Sequence, residues 1–396
     1  MINKATRQQT KQHNTRLVLK TIYDQEQISR ANIARATRLT KTTVSRIVAE
    51  LIHEGLIEET GFGSSESGKP PILLSIVDGG RNYIGIDLAN SEFRGATVNM
   101  RGNIVDRYSL PISNHDGAAA LELVYNLTDK LLAASDKPIH GIGIGTPGLM
   151  DPDNGVIRQA VNLDWRDVPL RSLMEERYQL PCQIANDCQA AALGDYTFVR
   201  NSGTSNLVVV KVGRGIGSGI VLNGQLHYGD GYGAGEIGHM VVIEGGEACA
   251  CGNHGCLETI ASTQAVVKRA QKLAKNNSHS ILNQFVNSPS EINTDIVLQA
   301  FNAGDEDLLS LITEAGSYLG IAVANLVSVL NIENIVITGS MARFGNVFLD
   351  PIKQVMSKNS IPILANETKI EISPLGQDIV IKGAASLLLA NDLHLP

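Results

Sequence analysis

Between Lys41 and Leu51 the apolar side chains fall at Val44, Ile47, Val48 and Leu51, with Lys41, Thr42, Thr43, Ser45 and Arg46 between them. That spacing predicts a helix with one buried stripe and a polar outer face. A helical pattern also covers 14–23, and another starts after Ile28, where Ser29 is placed to cap it. A turn at 37–40 joins the second helix to the third, so the segment predicts a helix-turn-helix. The stretches 55–59 and 71–76 then read as two strands joined by the glycine- and serine-rich turn 61–71, which adds a wing.

From Asn82 the pattern changes. Three strands separated by turns are expected over 83–87, 93–99 and 102–105, and the same arrangement returns over 207–212, 217–222 and 224–227. Further strands are expected at 141–145, 182–185 and 334–338, and helices at 117–134, 187–199, 262–274, 292–303 and 305–329. An internal echo of this kind predicts two similar α/β lobes. The expected organisation is a winged helix-turn-helix over 1–80, a first α/β lobe over 81–200 and a second over 201–396, with a C-terminal helix returning to the first.

The chain has 396 residues, 43% of them hydrophobic, enough to bury a core in each domain. Its first 16 residues are polar, which excludes a secretory h-region. The longest apolar run, 318–330, is interrupted by Asn325 and reads as a core helix. A cytoplasmic location without membrane insertion is therefore expected.

Charge is uneven: residues 1–76 carry 11 Lys and Arg against 7 Asp and Glu, while the whole chain has a net charge of −7. The basic end is a candidate polyanion contact. A winged helix can serve protein contacts alone, but the charge asymmetry favours DNA. Lys41, Thr42, Thr43, Ser45 and Arg46 would face the major groove, and Lys69 on the wing tip would touch backbone or minor groove.

A second chemistry lies far downstream. His239, Cys249, Cys251 and Cys256 occupy one short stretch between Glu236 and Glu258. Three thiolates and an imidazole are the donors of a closed, structural Zn²⁺ site, and Gly252 and Gly255 let the chain fold tightly around it. The competing reading is a disulfide or a set of buried thiols. It has little support, since the other cysteines are only Cys182 and Cys188 and nothing suggests an oxidising compartment.

Together with the helix-turn-helix, four motifs carry a resemblance over essentially the whole chain: Gly145-Thr146-Pro147-Gly148, Asn186-Asp187, Glu236-x-x-His239 and Cys249-x-Cys251-Gly252-x-x-Gly255-Cys256-x-Glu258. On these the chain resembles the ROK family of bacterial sugar-responsive repressors and sugar kinases. The resemblance implies actin-like, hexokinase-like paired lobes with a sugar in the cleft. It assigns Asn186, Asp187, Glu236, His239 and Glu258 to the sugar, with Gly148 and Asn162 as further contacts. Such carboxylates and amides suit neighbouring hydroxyls, with which they exchange paired hydrogen bonds. His239 would give one ring nitrogen to zinc and the other to a hydroxyl. The expected partners are operator DNA, a monosaccharide or sugar-phosphate effector, and further copies of the chain in a homodimer or homotetramer.

The alternative is a ROK-type sugar kinase that phosphorylates a hexose or amino sugar with ATP. Asp187 stands where the family's kinases place the general base. The nucleotide side departs from them: 87–91 reads Asp-Leu-Ala-Asn-Ser in place of an Asp-x-Gly-Gly-Thr-type phosphate loop. Arg214 replaces a small hydroxyl residue in the glycine-rich stretch 213–219, and Gly339-Ser340 replaces a Gly-Gly pair. These departures favour a regulator, in which sugar binding changes affinity for DNA by linkage.

Overall fold

In the computed structural model, which describes residues 6–64, 70–89, 91–112, 115–200 and 204–393, helix α1 (Arg7–Gln25) starts at a reciprocal cap. The Thr6 hydroxyl accepts the Gln9 N–H, and the Gln9 side chain accepts the Thr6 N–H. This cap lies upstream of the stretch expected to be helical, and the helix is longer for it. Strand β1 (Ile28–Ser29) leads into α2 (Arg30–Thr37), with Ser29 accepting from Asn32 as its cap. Thr40 caps α3 (Lys41–His53). Val44, Ile47, Val48 and Leu51 are buried, as their spacing predicts, together with Val18, Ile22 and Ile33 from the two helices packed against α3. Each such aliphatic side chain withdrawn from water contributes about 1.5–3 kcal/mol before chain entropy is charged against it. Strands β2 (Ile57–Phe62) and β3 (Ile72–Ile76) form the wing, and the small sheet runs β1-β3-β2, all antiparallel.

The next elements are β4 (Asn82–Leu88), β5 (Glu92–Asn99), β6 (Ile104–Pro111), α4 (Gly117–Ala134) and β7 (Ile139–Thr146). A three-stranded antiparallel sheet of β8 (Leu149–Asp151), β9 (Val156–Ala160) and β10 (Trp165–Val168) follows, then α5 (Leu170–Tyr178), β11 (Cys182–Asn186) and α6 (Asp187–Phe198). The larger sheet runs β11-β7-β4-β5-β6, with the β4–β5–β6 meander antiparallel and β7 and β11 parallel.

The later half repeats this plan. Strands β12 (Leu207–Val212), β13 (Ile216–Leu222) and β14 (Gln225–Leu226) form a second meander. Helices α7 (Glu258–Ala261), α8 (Thr263–Asn276), α9 (Thr294–Asn302) and α10 (Glu306–Leu330) precede β15 (Asn334–Thr338), α11 (Asn346–Asn359), α12 (Pro362–Glu367) and β16 (Lys369–Ile372). The sheet order β14-β13-β12-β15-β16 is that of the first sheet, element for element. The echo read in the sequence is therefore a repeated topology. Among the described residues α10 is the one helix long and apolar enough to cross a membrane. Its Leu311, Ile312, Ala315, Leu319 and Val323 are buried in the core of the second half, and Gly316 and Gly320 bring it against the Phe348 and Ile352 carbonyls of α11.

The chain divides into two compact units, Met1–Asp187 with Ile381–Pro396, and Cys188–Val380. Helix α13 (Ile379–Leu393) thus belongs almost wholly to the first unit, where its backbone presses on the sheet. A Cβ at Gly85 would lie 2.1 Å from the Ile381 carbonyl oxygen, and one at Gly143 only 1.8 Å from that of Ala384. Glycine is required at these two positions by close approach of a helix. Gly143→Ala is expected to destabilise the protein by about 1–3 kcal/mol through overpacking, read from the midpoint of urea denaturation.

Candidate functional site

Between β14 and α7 the described chain has no strand longer than isolated bridges, pairing Val241 with Cys256 and Ala248 with His254. Gly255 has φ +73° and its missing Cβ would lie 1.7 Å from the Ile243 carbonyl, so no other residue fits there. The Cys249 N–H donates to Asn253 and the Gly252 N–H returns to Cys249, closing a tight knuckle. These turns gather the predicted ligands: one donor atom from each of His239, Cys249, Cys251 and Cys256 lies within 4.8 Å of all the others. Cys249 Sγ is 3.6 Å from His239 Nδ1, and Cys251 Sγ is 3.7 Å from Cys256 Sγ. Around a tetrahedral ion with bonds of about 2.0–2.3 Å, neighbouring donors stand about 3.5–3.8 Å apart. The set fits a tetrahedral metal ion. It does not fit a disulfide, whose sulfurs are about 2.05 Å apart. The Asn253 N–H aimed at its sulfur lowers the Cys251 thiol to about 7, while burial first, and then the neighbouring thiol of Cys251, push Cys256 up to about 12.

Three predicted sugar residues of this unit hang on β13 and the cluster. His239 turns Nδ1 to the sulfurs, which leaves Nε2 on the other side, 3.9 Å from Glu236 Oε2. Ser218 donates both its N–H and its hydroxyl to the Gly235 carbonyl, which fixes the turn carrying Glu236 and His239. Glu258 opens α7 two residues after the last cysteine, and its Oε2 accepts the Ile216 N–H at 2.9 Å. A Cβ at Gly215 would lie 2.5 Å from that same oxygen. Gly217 and Gly219 face α6, where added Cβ atoms would meet the Cys188 sulfur at 2.8 Å and the Cys188 carbonyl at 2.2 Å. Close approaches account for the glycines at 215, 217 and 219, whereas a Cβ at Gly213 would meet only the Ser340 hydroxyl, at 3.9 Å.

In the first unit, Asn186 ends β11 opposite Thr146, and its Nδ2 donates to the Gly148 carbonyl at 3.0 Å. Gly148 has φ +91°, with its Cβ position 2.1 Å from the Gln159 carbonyl. Asn186 and Gly148 are thus brought together, with Asp187 next in chain at the start of α6. Asn162 lies on the exposed 3-10 turn Val161–Leu163 after β9. Sequence reasoning missed Arg94, which sits opposite Asp87 in the β4–β5 ladder and donates to its buried carboxylate. Only the strand pairing brings these two residues together.

On α3, Lys41, Thr42, Ser45 and Arg46 are exposed, and Thr43 is half-buried with its hydroxyl 2.8 Å from that of Thr40. Thr43 therefore serves first in the helix cap. Arg46 is 55% exposed and its nearest acid, Glu50, is 3.7 Å away and also bound by Lys11 at 3.2 Å. So loose a pair leaves the guanidinium available to a stronger acceptor. Arg30 on α2 ties the wing through Glu59 of β2 at 2.8 Å. Lys69 lies outside the described residues.

Known proteins match both halves of this description. The MarR family model matches residues 13–60, and the ROK family model matches residues 83–391. The chain is 35% identical to a xylose repressor of Caldicellulosiruptor bescii over 392 residues, 98% of each chain. It is 36% identical to a glucokinase of Halalkalibacterium halodurans over 313 residues, 78% of this chain and 95% of the kinase. The crystal structure of a ROK family transcriptional regulator, a homologue of the E. coli MLC protein, superimposes with a TM-score of 0.83 at 27% identity, covering 97% of this chain and 98% of that one. With its repeated sheets, its His/Cys cluster and a MarR-like helix-turn-helix ahead of them, the chain belongs to the ROK family.

Proposed function

We propose that this protein is a transcriptional repressor that leaves its operator when a monosaccharide of xylo or gluco configuration binds. The observation that carries the reading is the union, in one chain, of a DNA-reading winged helix with a ROK region, matched from end to end by a xylose repressor. In this reading Asn186, Asp187, Glu236, His239 and Glu258 contact the sugar, with Gly148 and Asn162 as further contacts. Zn²⁺ on His239, Cys249, Cys251 and Cys256 is structural: it holds the imidazole and the loop that ends at Glu258, and it leaves no coordination position for chemistry.

The repressor acts as a dimer, so that two winged helices meet two half-sites. Release then requires sugar to bind the DNA-incompetent arrangement more tightly than the competent one. Taking an operator from 99% to 1% occupancy needs a differential of about 10⁴-fold, roughly 5.5 kcal/mol. Several desolvated charge-assisted hydrogen bonds, at about 1.5–3 kcal/mol each, are of the size required.

A kinase is the second reading, favoured by the 36% identity to a glucokinase. Against it, the Asp87 carboxylate is already bonded to Arg94, and the segment after it lacks the glycines that let backbone amides approach a phosphate.

The test is to select duplexes from a random library with the purified protein, then titrate the bound complex with xylose and with glucose. Sequence-specific binding reversed by one of these sugars, with no ATP consumed, is the expected result. Sugar-dependent ATP turnover without selected DNA would replace this reading with the kinase. Arg46→Ala is expected to weaken the selected duplex by about 1–3 kcal/mol and to relax preference at one position of each half-site. Unchanged footprint and affinity would remove α3 from the groove.

A further inference from the structure

The winged helix and the first ROK sheet belong to one compact unit, and one side chain stands at their junction. Arg101 projects from the turn between β5 and β6, a turn closed by the Asn99 side chain, which accepts the N–H of Arg101 at 3.0 Å and of Asn103 at 2.9 Å. Its guanidinium lies over the Tyr23 ring, 4.5 Å from the centroid, and Nη1 donates to the Tyr23 carbonyl at 2.9 Å. Nε is 3.8 Å from Asp78 on the connecting segment. Tyr23 is in the last turn of α1, which carries no basic residue of its own. Arg101 therefore supplies, from the sugar-binding region, the cation and the hydrogen-bond donor that the end of this DNA-domain helix lacks. Stacking and hydrogen bonding by one planar group fix angle as well as distance, which an ammonium does not.

The connection is close-packed around this contact. The Val77 N–H donates to Leu56 at 2.9 Å, the Met100 N–H donates to Asp78 at 3.0 Å, and a Cβ at Gly80 would lie 2.7 Å from the Gly55 carbonyl. The β5–β6 turn is itself held by a strand bonded on both sides, to β4 and to β6. We infer that Arg101 is a positioning residue for DNA recognition, locking the end of α1 to the β5–β6 turn so that the winged helix and the first ROK sheet move as one body. This rests on the regulator reading above.

The experiment uses the full-length protein and the duplex it selects. Affinity is measured for one half-site, for two half-sites at the selected spacing, and for spacings changed by two and four base pairs. For Arg101→Ala the half-site affinity is expected to stay within about two-fold, while affinity at the selected spacing falls about ten-fold and the preference for that spacing flattens, because the second head is no longer held in place. Arg101→Lys, which keeps the charge but not the stacked plane, should fall between. Tyr23→Leu removes the stacked ring from the other side while leaving the carbonyl that Nη1 bonds, and should flatten the profile part of the way, which keeps the inference testable if Arg101→Ala is poorly folded. A spacing profile unchanged in all variants overturns the inference, as does an equal loss on half-site and full site, which marks a weakened winged helix only. Failure of the unmodified protein to select any duplex overturns the regulator reading and this inference with it.

Discussion

Asp187→Ala is expected to yield a repressor that stays on its operator at sugar concentrations that release the unmodified protein. A carboxylate sharing two hydrogen bonds with neighbouring hydroxyls contributes about 1.5–3 kcal/mol for each bond it makes. Loss of one such bond should lower sugar affinity by about 10- to 150-fold, and loss of both by about 150-fold or more. The aspartate begins α6, whereas the face proposed to read DNA is on α3, so operator affinity without sugar should stay near that of the unmodified protein. The two quantities are read separately, by calorimetry with sugar and by anisotropy with labelled duplex. Equal loss of both would show that reader and sensor are not separable modules. Sugar affinity unchanged in the variant would remove Asp187 from the contact set.

Cys251→Ser is expected to lose metal and sugar response together. Ile237, Met240, Val242 and Leu257 tie the ends of the segment between β14 and α7 to the core of the second unit, but residues 244–254 between them are held by turns and one isolated bridge, and Cys251 itself is exposed, so little apolar burial supports that stretch. Binding of a structural zinc ion is worth on the order of 10–16 kcal/mol in small zinc domains, more than such a loop can assemble otherwise. With one thiolate gone, metal analysis should show zinc falling from one per chain to a small fraction of that. His239 and Glu258 then lose the anchor that orients them. Metal-free Cys251→Ser protein with full sugar affinity would reduce the ion to an ornament of the loop.

What the sequence made legible follows from how local each signal is. The buried stripe of α3, the Ser29 cap of α2 and the four cysteine and histidine donors are short-range patterns, and the structure forms them as read. Helix α4 spans the expected 117–134, and both meanders are present with the same sheet order. Helix α11 escaped because Pro351 sits inside it, where periodicity alone argues against a helix. The strands β8 to β10 have three to five residues each, too short for alternation to establish itself. In the candidate site, the cluster donors and Glu258 were visible as a spaced group, while the Arg94 pairing with Asp87 required the ladder between β4 and β5. The bond from the Ile216 amide to Glu258 was equally hidden, because a backbone donor has no signature in the sequence.

The return of α13 to the first unit bears on how the nascent chain matures. Gly85 and Gly143 were made long before the helix whose carbonyls press on them, and the whole of the second unit, Cys188–Val380, is synthesised in between. The winged helix can assemble as soon as it clears the ribosome, since its own helices bury its core. The sheet it is joined to stays uncovered on one face until residues 381–393 emerge, at 5–20 residues per second roughly ten to forty seconds later. During that interval the face carrying Gly85 and Gly143 lacks its helix, while Ile84, Ile86 and Ile144 on the other face already have Val124 and Leu127 of α4 to pack against, so the chaperone requirement of this protein should track the synthesis of its second unit and not of its first.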